Sequence, residues 1–329
     1  MAAALAAALV PSVDAQQPEF KAGVELVTVP VTVTTRDHST YIAGLTAADF
    51  RVEENGDRQV VTAVTRDKVP VSVAIVVDSS EAMRLPMRRE YAADAVNQLV
   101  AALEPEDEIT ILFLSRTVSE RVPWTRAKEI RELNWGGWNP GETAPLHDGL
   151  RSAFAALQKA RNARHAILLL TPGFESSSRM SLSSLVKSRQ ESEVSLYAFG
   201  LGSHRAEDVA AEQQTATKYM GVPRATSEMV RGADAQGPNA IAPKPLMEID
   251  YLDTLVGDPG GTVTRLKSLP ESAIAARNLA AELHSQYLIG YTPKKTFDGK
   301  YRSLKIDVNR RGVYVRHREG YLALPLAAQ

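Results

Sequence analysis

The sequence predicts an α/β protein: a doubly wound, mostly parallel sheet, with β segments at both ends of the chain that build one sandwich beside it. Three observations predict this. The runs VSVAIVV (71–77), ITILFL (109–114), AILLLT (166–171) and VSLYAF (194–199) are apolar without alternation, as strands buried on both faces are. Segments of helical spacing separate most of these runs, and alternating strands and helices indicate parallel pairing through crossover connections. Outside residues 69–285 the pattern changes to two-residue alternation punctuated by turn signals, which reads as antiparallel β.

Taken in order, residues 24–35 (VELVTVPVTVTT) alternate, with Val29, Val31 and Val33 on one side and Thr28, Thr32 and Thr34 on the other. Pro30 removes a ladder donor and predicts an edge position or a bulge. Residues 50–54 and 58–64 read as a strand pair joined around Asn55-Gly56, the strongest short hairpin signal. After strand 71–77 a helix carries Ala92, Val96, Leu99, Val100 and Leu103, and Pro105 ends it. A short helical piece is expected near 126–133, then a Gly-rich loop at 136–142 leading into a helix over 146–161. A helix over 181–191 precedes strand 194–199. Another helix, the turn GDPGGT and a helix over 270–285 complete the α/β unit. Residues 203–250 show no apolar period in their second half and read as a partly irregular insertion. Strands then follow at 287–291, around Leu304, Ile306 and Val308, and at 313–316. The expected organisation is therefore residues 21–68 and 286–324 as the two parts of a sandwich, with 69–285 as the α/β unit between them.

The totals exclude several function classes. A net charge of −1 gives no bulk attraction to nucleic acid or to an anionic membrane. Arg310, Arg311, Arg316, His317 and Arg318 interleave with Val313, Tyr314 and Val315, as on a solvated strand face. The absence of cysteine excludes thiol catalysis, disulfides and zinc-thiolate sites. Residues 1–20 begin MAAALAAALVPSVDAQQ and read as the remainder of a secretory signal or a flexible tail, with a cleavage-like Val13-Asp14-Ala15. The expectation is an exported chain, periplasmic, outer-surface or secreted. No run reaches the ~18 apolar residues of a spanning helix, so no stable transmembrane anchor is expected.

The candidate site follows from topology. In open α/β sheets, ligands sit beyond the carboxyl ends of the strands. Asp78 and Ser80, in VVDSSEAM, lie just past strand 71–77. The loop before helix 146–161 carries Gly141-Glu142-Thr143, and the loop after strand 166–171 reads Thr171-Pro172-Gly173-Phe174-Glu175. From the residues alone, Asp78 and Ser80 could instead cap the helix after them, and Thr143, with Asp148, the helix after it. Trp124, Trp135 and Trp138 surround WGGWNP; they either rim the same edge as binding hot spots or pack beneath the loop.

DSSEAM after a buried strand, GETAPLHDGL before a helix, LLLTPGFESSS and YAFGLG after strands resemble a von Willebrand factor type A (vWA) domain. The flanks GLTAADFRVEENG and ELHSQYLIGYTPKK resemble an exported bacterial vWA-related family described from acidobacteria. The resemblance spans about residues 20–324. It implies a divalent metal, Mg²⁺ or another such cation, held by an Asp-x-Ser-x-Ser loop, a threonine and an aspartate, and an adhesion role toward a protein partner. Asp78, Ser80 and Thr143 match three of these positions. Ala82 stands in place of the second serine and Pro172 in place of the aspartate, and neither offers a side-chain oxygen. Glu175, Ser176–Ser178 and Glu81 are the residues nearby that could compensate. The resemblance thus implies a non-enzymatic binding protein with a depleted metal site, or a metal-independent structural scaffold.

Other motifs give little. Gly200-Leu201-Gly202 lacks the third glycine of a dinucleotide fingerprint. There is no phosphate loop and no Gly-x-Ser-x-Gly elbow, so no hydrolase nucleophile is placed. His147, His204 and His284 lack metal-ligand spacing and read as surface or capping residues.

Overall fold

The computed structural model describes residues 26–66, 69–85, 87–136, 138, 141, 143–192, 194–202, 250–257 and 260–325. The expected signal remnant and most of the expected 203–250 insertion, with His204, lie outside the described residues.

A six-stranded sheet forms the centre. It contains β5 (Val71–Asp78), β6 (Glu108–Leu114), β7 (Val118–Arg126), β8 (Arg164–Thr171), β9 (Ser195–Leu201) and β10 (Val263–Leu266), in the order β10-β9-β8-β5-β6-β7. All neighbours are parallel except β6 and β7. Every residue of β5, β6 and β9 is buried, as expected for strands covered on both faces. Helices α1 (Arg88–Ala102) and α5 (Leu269–Ser285) cover one face, through Ala92, Val96, Leu99, Ala276, Leu279 and Leu283. Helices α2 (Leu146–Leu157), α3 (Leu182–Glu191) and α4 (Asp250–Val256) cover the other, through Leu146, Leu150, Leu185 and Leu252. The chain leaves β5 for β6 on one side and returns to β8 on the other. The carboxyl ends of β5 and β8 therefore flank a topological switch point, where such sheets open a crevice.

Two expectations are corrected here. The segment near 126–133 is not helical beyond a single 3₁₀ turn, Ala127–Glu129; it follows β7, an antiparallel edge strand that the sequence reading did not find. β7 is mostly solvent-facing and rich in Ser, Glu and Arg, so it carries no apolar run to reveal it. β10 was missed for a similar reason, being four residues long with one buried position.

The flanking segments form two four-stranded antiparallel sheets. One has the order β13-β1-β11-β4 and the other β14-β12-β2-β3. Their strands are β1 (Val27–Thr35), β2 (Phe50–Glu54), β3 (Asp57–Gln59), β4 (Val61–Thr65), β11 (Tyr287–Tyr291), β12 (Tyr301–Val308), β13 (Val313–Arg316) and β14 (Gly320–Leu322). One core joins the sheets, with Val29, Val31 and Ile289 from the first against Phe50, Val52, Leu304 and Ile306 from the second. Asn55 (φ 50°) and Gly56 (φ 83°) make the expected hairpin turn. The strand after it divides: β3 stays with β2, whereas β4 crosses to β11, and the break falls at exposed Val60. Pro30 sits opposite Leu288 of β11, where β13 does not reach, since β13 pairs only with Thr32–Thr35. It occupies a local edge, where the missing N–H breaks no ladder.

Buried polar groups fasten the sandwich internally and to the α/β unit. Glu54 pairs with Arg302 at 3.0 Å and accepts the hydroxyls of Tyr291 and Tyr321, each at 2.8 Å. Across the junction, Arg316 pairs with Glu282, which also accepts the Tyr197 hydroxyl at 2.7 Å. Gln286 donates to that hydroxyl at 3.0 Å. The basic cluster at 310–318 is therefore not one solvated face. Arg316 is largely buried in an ion pair, and half-buried His317 accepts the Ile306 N–H at 3.1 Å.

Candidate functional site

Asp78 closes β5 and is fully buried. Its Oδ1 accepts the Ser80 N–H at 2.8 Å and its Oδ2 accepts the Thr171 hydroxyl at 2.7 Å. Thr171 ends β8, so this second bond ties the two strands that flank the switch point. The Thr171 hydroxyl also accepts the Gly173 N–H at 2.9 Å. Burial pushes the Asp78 carboxyl above the ordinary range, against its hydrogen bonds from Thr171 and Ser80 and the charge of Arg88, which all pull it down. Ser80 Oγ is buried without a hydrogen-bond partner. The third loop joins through Gly141, whose N–H reaches the Ser79 carbonyl at 2.7 Å in a parallel bridge between Ser80 and Gly141. Thr143 follows two residues later and is half-buried. The three loops named from the sequence thus meet at one edge.

The capping alternatives are corrected by this geometry. Ser80 opens a 3₁₀ turn, Glu81–Arg84, with no side-chain cap bond. The residue that precedes α1 is Met87, in the left-handed region (φ 66°). Helix α2 is capped from outside: the His147 N–H meets Glu175 Oε2 at 3.3 Å and Ser178 Oγ at 3.1 Å, and the Ala144 N–H meets Ser176 Oγ at 2.9 Å. Asp148 caps in return, accepting the N–H groups of Arg179 and Met180. Glu175, Ser176 and Ser178 are therefore engaged at the helix terminus, where carboxylates and hydroxyls satisfy orphan amides. They do not replace the oxygen that Pro172 lacks.

Arg88 was not singled out from the sequence. It is the first residue of α1 and is 3% exposed. One terminal nitrogen donates to the Ala82 carbonyl at 2.9 Å, and the guanidinium lies 5.8 Å from the Phe174 ring centroid. It thereby spans the loops after β5 and β8. The only signal in the sequence was an arginine at a helix N-terminus, where the dipole disfavours a cation.

Trp135 and Trp138 pack on one core of the sheet and Trp124 on the other. Trp135 and Trp138 stand 5.6 Å apart and flank Phe113, and Trp138 is 7% exposed. Trp124 donates to the Ala156 carbonyl at 3.1 Å on the α2 face. None forms an exposed rim. His147 and His284 are also not surface residues. His147 meets the Met180 carbonyl at 2.8 Å and the Tyr251 hydroxyl at 2.5 Å, and His284 meets Asp107 at 2.8 Å.

A divalent ion fits this residue set poorly. Mg²⁺ needs about six oxygens in octahedral array and usually one or two carboxylates. The edge offers Asp78, the Ser80 hydroxyl and Thr143, while the positions of Ala82 and Pro172 offer no side-chain oxygen. Asp78 already feels the charge of the buried Arg88 guanidinium, which offsets the attraction an added ion would find there. The unpartnered Ser80 hydroxyl is the single feature that favours a ligand. No group of three or more His, Asp or Glu residues suited to a metal occurs among the described residues.

A search of curated proteins finds no match. Among solved structures, an aerotolerance-related membrane protein from Bacteroides fragilis is 16% identical, covering 65% of this chain and 98% of its own, with a TM-score of 0.42. BatB from Bacteroides thetaiotaomicron is also 16% identical, covering 65% and 97%, with a TM-score of 0.41. A von Willebrand factor type A protein from Catenulispora acidiphila is 12% identical, covering 92% and 75%, with a TM-score of 0.45. At these scores the likenesses carry no further argument. The family model described as the von Willebrand factor type A domain matches residues 73–175, the segment that holds Asp78, Ser80, Thr143 and Thr171. Residues 73–175 of this chain thus match a von Willebrand factor type A domain.

Proposed function

We propose that this is an exported, non-enzymatic vWA protein that binds a protein partner through the loops at the carboxyl edge of its central sheet, without requiring a metal ion. The observation that carries the reading is strain placed at that edge. Met87 (φ 66°) and Ser177 (φ 68°) hold left-handed backbone that only glycine adopts freely, and both are exposed. Such strain persists where the surroundings over-determine it and tends to cluster at binding sites. Beneath them, the buried bonds of Asp78, Thr171 and the α2 cap hold the loops in one arrangement, a preorganisation that lowers the cost of binding. The short apolar run Ala2–Val10 with the cleavage-like Val13-Asp14-Ala15 supports export. No sequence motif places a nucleophile–base pair, in keeping with a non-enzymatic role. Among the described residues no helix is long and apolar enough to cross a membrane.

The competing reading is a scaffold whose partner surface lies on the sandwich or on residues 203–250. Photo-crosslinking in the native host separates the two. A photoreactive residue at Met87 or Ser177 is expected to trap one partner, and Ser177→Asp to abolish the adduct formed at Met87 without lowering the melting temperature. Adducts from exposed Tyr301 or Tyr314 of the sandwich, with none from the loop edge, would sink the proposal in favour of the scaffold.

A further inference from the structure

We propose that β4 of the sandwich is an association edge, and that two copies of this chain pair there, β4 against β4 in antiparallel register. The inference does not rest on the partner-binding reading above, which concerns the α/β unit. It starts from the state of the sheet edges. β4 ends its sheet: β11 bonds to one side, and among the described residues no strand lies on the other. An unpaired edge presents N–H and C=O groups that template another strand, and folded chains usually blunt it with charge, proline or brevity. The other edges of this molecule follow that rule. β7 carries Glu120, Arg121 and Pro123, β10 carries Arg265 and β13 carries Arg316, while β3 and β14 are three residues long. β4 reads Val-Thr-Ala-Val-Thr, with neither charge nor proline. Val60, just before it, is 72% exposed, more than any other large apolar side chain among the described residues. The 3₁₀ turn Ala47–Asp49 packs beside β4, but among the described residues no backbone hydrogen bond joins the two.

The local order points to a second copy as the strand that fits. Val61-Thr62-Ala63-Val64 reads nearly the same in either direction. About a two-fold axis between Thr62 and Ala63, Val61 meets Val64 of the second copy and Thr62 meets Ala63. β-branched residues then face each other with no charged pair to oppose them. The bulge in β4 suits this register. Ala63 pairs with Gly290 and Val61 with Tyr291, which leaves Thr62 as the extra residue, its hydroxyl bonded to the Gly290 carbonyl at 3.1 Å. Gly290 therefore faces β4, and Ile289 and Tyr291, one residue to either side, face β1, since alternate residues of an antiparallel strand bond to alternate neighbours. Val64 and Val61, opposite Ile289 and Tyr291, turn their peptide groups to the open side, and the two-fold register brings those two residues together. Such a contact uses the same edge on both copies, so it closes at a dimer and leaves no β4 edge to extend a fibre.

The test uses the full chain. About four backbone bonds make a small interface, so the expected Kd is roughly 10–500 µM, and sedimentation equilibrium up to about 1 mM should show monomer and dimer. Val60→Lys is expected to weaken association at least about tenfold with an unchanged melting temperature, as a lysine guards an edge. Thr62→Lys should do the same; should it disturb the fold by giving up the bond to Gly290, Val60→Lys decides alone. Tyr314→Lys, on the strand at the far side of the same sheet, should leave association unchanged. Because the chain has no cysteine, Thr62→Cys takes a single spin label. Two labels across the dimer should lie within about 20 Å, given the ~4.8 Å spacing of paired strands. A monomer at every concentration, a dimer that Val60→Lys leaves intact, an equal loss in Tyr314→Lys, or labels beyond that distance would each overturn the proposal.

Discussion

Replacing Thr171 by valine removes one hydroxyl and almost no volume, and it strikes the bond that joins the two strands at the switch point. The Thr171 hydroxyl donates to Asp78 Oδ2 at 2.7 Å and accepts from the Gly173 N–H at 2.9 Å, and all three groups are buried. A hydrogen bond to a charged group contributes about 1.5–3 kcal/mol, and a buried amide left unmet costs about 1–3 kcal/mol. The expected loss is therefore about 2.5–6 kcal/mol at pH 8. With a urea m-value near the top of the usual ~1–3 kcal/mol/M range, the midpoint should fall by roughly 1–2 M. Tryptophan fluorescence is a suitable probe, because Trp124, Trp135 and Trp138 all lie in the α/β unit. The pH dependence tests the mechanism. Burial raises the Asp78 pKa in the folded chain above its ordinary value of 3.8, so acidification protonates the folded state first. The stabilisation from that proton is fully present below the unfolded pKa and is lost as pH rises through the folded one. Loss of the Thr171 donor raises the folded pKa further. The deficit of the variant should therefore shrink between pH 8 and pH 5. A deficit under about 0.5 kcal/mol at both pH values, or one that grows on acidification, would refute the reasoning.

Three further outcomes are expected. Glu54→Gln leaves the buried Arg302 charge with only exposed Asp298, at 3.5 Å, as counter-ion and should cost about 3–5 kcal/mol by urea denaturation; a cost under about 1 kcal/mol would mean the network is neutral to its charge. Burial lowers the His317 pKa below 6.5, so the stability it supports is present above pH 6.5 and lost as pH falls through the folded value. His317→Gln should remove that step from a series of melts between pH 8 and pH 5, and an unchanged profile would place the acid sensitivity elsewhere. Gly261→Ala would bring a Cβ to within 1.6 Å of the Leu196 carbonyl oxygen, so it should displace β10 from β9 and lower the melting temperature by several degrees; an unshifted melt would show that the turn can move aside.

The central strands were legible because burial on both faces writes itself as an unbroken apolar run, as in Val71–Val77 and Ile167–Leu170. The sandwich strands were legible through alternation, and β12 buries every second residue as expected. β7 and β10 were not, since edge strands bury little and carry no pattern. The convergence of Asp78, Ser80 and Gly141 was legible from the rule that loops at the carboxyl ends of parallel strands share one edge, and Thr143 was matched through the vWA resemblance. The roles of Arg88 and Thr171 were not legible. Each depends on which way one side chain turns in a loop, and the nearest-neighbour information that decides this comes from residues about 6 to 93 positions away. Glu175 and the nearby serines failed as substitute ligands for the same reason, because the amides of α2 claim them.

The sandwich is made from the two ends of the chain, with Val29 paired to Ile289 and Val52 to Ile306. During synthesis at roughly 5–20 residues per second, the first strands would wait a few tens of seconds for their partners to emerge. The α/β unit has no such delay, since β5, α1 and β6 are neighbours in sequence. Folding should therefore be ordered in time, with the sheet first and the sandwich closing last over a large loop. In the interval, the valines of β1 are an exposed, aggregation-prone strand. A chain that loses β11 to β14 through truncation or a stalled ribosome would keep that strand uncovered, which makes the last forty residues the step that determines whether the first forty are safe.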